Sequence, residues 1–135
     1  MENADSERLL NLIGSVLAKD AAYPLDKTLL YAEVASNTAE ISVFKDIGNQ
    51  IVYRPLDHDL FDLLLDLWEA HEPGKAWIAI EYLIRRDRFE VSYIYSDDPG
   101  WNDDLDYREK VVARYFGDKP IVYPPMPTGD QTFKL

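Results

Sequence analysis

The sequence predicts an α+β fold: a single antiparallel sheet of about five strands with helices packed on one side, in the order α-β-β-β-α-β-β-α. Three observations carry this reading. Strand-like runs come in consecutive groups and do not alternate one-for-one with helices, which argues against a wound parallel sheet. The links between those runs are short and polar, the length of hairpin turns. Three further segments carry their apolar residues at helical spacing instead.

The first helix is marked by Leu9, Leu10, Leu12, Ile13, Val16 and Leu17, with Asp5 or Ser6 as its expected cap. Tyr23-Pro24 lies beyond its end, since a proline restricts the residue before it. Thr28 to Ala35 reads as a strand with Leu30, Ala32 and Val34 on one face and Leu29, Tyr31 and Glu33 on the other. Ile41, Val43 and Phe44 mark a second strand after Ser36-Asn37-Thr38, and Gln50 to Arg54 a third, stopped by Pro55. The second helix follows Asp57, with Leu60, Phe61, Leu63, Leu64, Leu65, Leu67 and Trp68 as a wide apolar face and Gly74 beyond its end. Trp77 to Ile84 is nearly continuous apolar sequence, as in a central strand. Phe89, Val91, Tyr93 and Tyr95 then alternate with polar residues in a half-buried one. Arg85-Arg86-Asp87 between them is the length of a hairpin turn. A third helix is expected from about Asp103 to Phe116, stopped by Gly117.

The 135 residues suit one domain, drawn at 1–118 with a Pro-rich extension at 119–135. There is no cysteine, so disulfides and thiolate chemistry are out. The acidic Met1–Glu7 start does not read as a signal peptide, and no apolar run reaches the roughly 20 residues of a membrane span; a cytoplasmic protein, monomer or homodimer, is expected. Net charge is −11, from 25 acids and 14 bases. Asp57 to Glu109 alone holds 15 acids against 5 bases. Such a chain repels nucleic acid and anionic membranes and attracts a basic partner.

Two acidic groups stand out. Asp59, Asp62, Asp66 and Glu69 recur at steps of three, four and three, one stripe opposite the leucines. No lysine or arginine lies between Asp57 and Glu72, whereas a solvated face usually mixes signs; the stripe is either an interface or a solvated face. The second group is Asp97, Asp98, Asp103 and Asp104, with Trp101 between them as either an interface anchor or a core residue. Its spacing does not match an EF-hand loop, and Pro99-Gly100 with Asp103 reads equally as a turn and a helix cap.

Catalytic patterns are weak. The two histidines, His58 and His71, stand at opposite ends of one helix, about 20 Å apart at its rise per residue. No nucleophile elbow, phosphate loop, dinucleotide fingerprint or zinc-helix motif occurs. No enzyme and no cofactor or metal is expected. The alternative is a small metal-dependent enzyme or regulatory subunit using the clustered carboxylates.

Leu30-Tyr31-Ala32-Glu33-Val34, the Leu60–Trp68 helix, Gly74-Lys75-Ala76-Trp77 and Phe89-Glu90-Val91-Ser92-Tyr93-Ile94-Tyr95 followed by Asp97-Asp98 resemble the YezG-like family of bacterial immunity proteins. The resemblance runs from the first helix to about Gly117. It departs where the family often has a glycine turn, for Arg86-Asp87-Arg88 stands there instead. What it implies is an antitoxin that neutralises a cognate secreted polymorphic toxin, often a nuclease. A nuclease is basic where it holds phosphates, so an acidic inhibitor complements it. The expected binding surface for that toxin is Asp59, Asp62, Asp66, Glu69, Asp97, Asp98, Trp101, Asp103 and Asp104.

Overall fold

The elements follow one another as α1 (Ala4–Leu17), β1 (Thr28–Ala35), β2 (Thr38–Asp46), β3 (Ile51–Arg54), α2 (His58–Glu69), β4 (Ala79–Arg85), β5 (Arg88–Ile94), α3 (Tyr107–Phe116) and β6 (Ile121–Val122). This computed structural model describes residues 4–99, 101 and 107–123. The strands form one sheet in the order β5-β4-β1-β2-β3-β6. β1 to β5 pair antiparallel, and the hairpin expected between the Trp77 and Phe89 runs is present, with Arg85 opposite Arg88.

Three expectations need correction. The sheet has six strands and is mixed, because β6 pairs parallel with β3. A two-residue strand among prolines has no periodicity to read. It is held by the Pro120 carbonyl, which accepts from the Ile51 N–H, and by Lys119 on Asp46 at 2.8 Å. The sheet therefore reaches past the boundary drawn at 118, into the Pro-rich extension. Second, helices cover both faces of the sheet. α1 and α2 pack on Leu30, Ala32, Val34, Ile41, Val43, Ile80, Tyr82 and Ile84. α3 packs Val111, Val112 and Phe116 on the opposite face, against Leu29, Phe44, Ile51 and Leu83. The physical reason is in β1, where neighbours Leu29 and Leu30 are both fully buried and each needs its own cover, worth about 1.5–3 kcal/mol apiece. Third, α1 already begins at Ala4, so Asp5 and Ser6 lie inside its first turn and do not precede it.

Local chemistry sets the rest. Asp57 caps α2 from an extended backbone, its carboxylate accepting from the Asp59 N–H at 2.9 Å. α3 stops at Gly117, whose φ of 85° favours glycine. The β4–β5 turn puts Arg86 at φ 63°, a left-handed conformation that costs a residue with a side chain. The Asp26 carboxylate accepts from the Arg86 N–H and holds the turn.

Candidate interaction surface

α2 presents the acidic stripe as its spacing implies. Leu60, Leu64 and Leu67 are buried under it, while Asp59, Asp62, Asp66 and Glu69 are exposed. The helix is a firm platform at both ends. Beyond the Asp57 cap, the Trp68 indole donates to the Trp77 carbonyl at 2.8 Å, and His71 packs edge-on against Trp68.

The stripe is not uniform. Lys19, from the turn after α1, reaches Asp59 at 3.2 Å and Asp57 at 3.8 Å. Its ammonium is held above its ordinary value, first by the hydrogen bond to Asp59 and then by the charge of Asp57. Among the described residues Asp62, Asp66 and Glu69 make no ion pair. Asp66 and Glu69 also oppose the helix dipole: they lie in the last turn of α2, at its negative end, where no base stands. Such placement costs a helix about 0.3–1 kcal/mol per charge near the terminus.

The second acidic group is placed elsewhere. Asp98 closes a tight turn, its carboxylate accepting from the Tyr95 N–H at 2.9 Å while its own N–H donates to the Tyr95 carbonyl at 3.0 Å. Asp97 is exposed beside it. Asp103 and Asp104 lie outside the described residues. Trp101 is half-buried against the α3-side core, its ring 6.4 Å from that of Tyr107. The indole Nε1 is buried beside the Tyr31 hydroxyl, with no hydrogen bond of good geometry among the described residues. Trp101 thus rests on the face of the sheet opposite α2. The structure brings Asp59, Asp62, Asp66 and Glu69 together and does not join them to Asp97, Asp98 and Trp101.

Three ionic groups, two of them buried, escaped the sequence reading. Glu81, in the middle of β4, is 2% exposed and accepts from the Tyr115 hydroxyl and from Arg114 at 3.3 Å. A lone acid inside Trp77–Ile84 was the available signal, because a buried carboxylate requires partners. Burial and then Glu81 push the Tyr115 hydroxyl up to about 12. Lys45, equally conspicuous after Val43-Phe44, is buried and donates to the carbonyls of Tyr23 and Pro24 at 3.3 and 3.1 Å. Its burial holds it below the usual lysine range. Arg54 grips Asp20 with two hydrogen bonds and lies over the Tyr23 ring. Lys45, Arg54 and Asp20 line a cleft of about 260 Å³ with Val16, Leu60 and Asp57. Lys45 and Arg54 there are already engaged in tying the 18–27 loop to β2 and β3.

Among the described residues no group of three or more histidine, aspartate or glutamate side chains is arranged to hold a metal ion, and no helix is long and apolar enough to cross a membrane. No known family model matches the chain, and no curated protein matches it.

Proposed function

We propose that this chain is an immunity protein that binds and neutralises a cognate basic toxin domain through the acidic face of α2. The observation that carries the reading is the run Asp62, Asp66 and Glu69: exposed carboxylates on a rigid helix, the last two set against its dipole, with no counter-ion among the described residues. The placement of Asp66 and Glu69 disfavours the helix, so stability does not account for them. A basic partner would supply the missing cations, and the chain's charge of −11 would speed the encounter. The resemblance of Phe89–Tyr95 and the following Asp97-Asp98 to the YezG-like family supplies the toxin as that partner's class. Asp97, Asp98 and Trp101 lie away from the stripe and are not needed by this reading.

The test is co-expression with the product of a toxin-like reading frame neighbouring the gene. The wild-type chain should rescue growth and co-purify with the toxin. Asp62→Lys combined with Asp66→Lys should abolish both at low expression while the melting temperature holds. Full rescue by that double variant would remove α2 from the interface.

A further inference from the structure

The sheet has two unequal ends. β6 closes one with two residues, whereas β5 forms the other with seven, and among the described residues no strand pairs with its outer edge. A long open edge is a template for another strand unless something blocks it.

The hairpin decides which main-chain groups lie open. Arg85 and Arg88 flank a two-residue turn, the position where a hairpin pair exchanges both hydrogen bonds. Alternation then turns the amide groups of Glu90 and Ser92 toward β4 and those of Phe89 and Val91 outward. At the far end the Asp98 carboxylate already closes the Tyr95 N–H.

The side chains are also incompletely covered. Phe89 stacks on Tyr82 at 5.0 Å, and α1 reaches that tyrosine, but α2 lies farther in, over β1 and β2. Phe89 and Val91 are left half-buried on their outer flank.

Charge selects the occupant. Arg85, Arg86 and Arg88 crowd the hairpin end of this edge, and Asp97 and Asp98 the other, with no base from Glu90 to Asp98. An identical strand laid antiparallel brings each basic end to an acidic end; a parallel one sets like against like. We infer that β5 pairs antiparallel with β5 of a second copy about a two-fold axis at Val91, joining the two sheets into one. In that register Phe89 faces the partner's Tyr93 and Arg88 faces the partner's Ile94, next to the acidic turn. A register centred on Glu90 would oppose two carboxylates. α2 sits over strands away from this edge, so both acidic stripes stay exposed in the pair.

Sedimentation velocity and light scattering on the full chain, at tens of micromolar and about 0.15 M salt, should give twice the 15.6 kDa chain mass. Val91→Pro removes an outward N–H and leaves the β4 ladder alone. It should raise the dimer dissociation constant roughly tenfold or more with unchanged circular dichroism. Should that variant fail to fold, two exposed positions decide. Arg88→Glu and Asp97→Arg should each weaken the dimer to a similar degree, and the double variant should restore it. A monomer at every concentration overturns the inference, as does a dimer indifferent to both charge reversals.

Discussion

The Tyr82 hydroxyl donates to the Leu10 carbonyl of α1 at 2.7 Å, and it does so 2.8 Å from the place a Cβ on Gly14 would occupy. Glycine inside a helix costs about 1 kcal/mol relative to alanine, and here that cost makes room for the bond between helix and sheet. Gly14→Ala should therefore destabilise the fold by about 1–3 kcal/mol, against the helix-propensity trend. In a Tyr82→Phe background the same change should cost much less. Urea unfolding of the two single variants and the double measures the coupling; simple additivity would show that the hydroxyl is not the obstacle.

The Glu81–Arg114 pair is asymmetric, with the carboxylate 2% exposed and the guanidinium 55%. Removing the arginine strands a buried charge, whereas removing the acid returns an arginine to water. Arg114→Ala should cost about 2 kcal/mol and Glu81→Gln about 1 kcal/mol. Matched denaturation curves check the order, and the reverse order would mean that Tyr115 alone satisfies Glu81.

Asp20 gives the fold an acid-side dependence. The Arg54 hydrogen bonds, ahead of burial, which opposes them, hold its carboxyl below the ordinary 3.8. A depressed folded value stabilises the native state fully above the unfolded value and is lost as pH falls through the folded one. Melting temperature should fall below about pH 4, and Arg54→Met should flatten that slope while costing about 1 kcal/mol at neutral pH. An unchanged slope would assign the acid sensitivity to other carboxylates.

Asp62→Lys should leave stability within about 0.5 kcal/mol of wild type and Asp66→Lys should hold or slightly raise it, both side chains being exposed and Asp66 lying at the negative end of the helix. Trp101→Ala should behave oppositely and lose about 1–3 kcal/mol, because the ring rests on the α3-side core. Thermal melts of the three variants separate surface from core directly. A stable Trp101→Ala protein would release that ring to an interface role.

What was readable in the sequence was local. The leucines of α2, its Asp57 cap and the alternation of Phe89–Tyr95 depend on residues a few positions apart, and the structure places them as their spacing implies. What was hidden joins distant residues. Lys19 meets Asp59 across 40 positions and Arg114 meets Glu81 across 33, so the stripe looked less compensated than it is. Helices expected on one side leave the α3 face of the sheet open, and Leu29 beside Leu30 is the sequence's hint that a second layer is needed. Nothing in the chain announced that Trp101 would fall on the other side of the sheet from Asp62.

That sheet is also a partition. It separates the side chains under α1 and α2 from those under α3, and among the described residues α3 stands alone on its face while α1 and α2 pack on each other. The helix can therefore lift away as a unit while the opposite layer stays shut, a partial opening below the free energy of global unfolding. In native-state hydrogen exchange the amides of Val111 and Val112 should lose protection together, and ahead of those of Leu64 and Leu67. The molecule would then carry two clocks, a fast one on the α3 side and a slow one under the acidic helix.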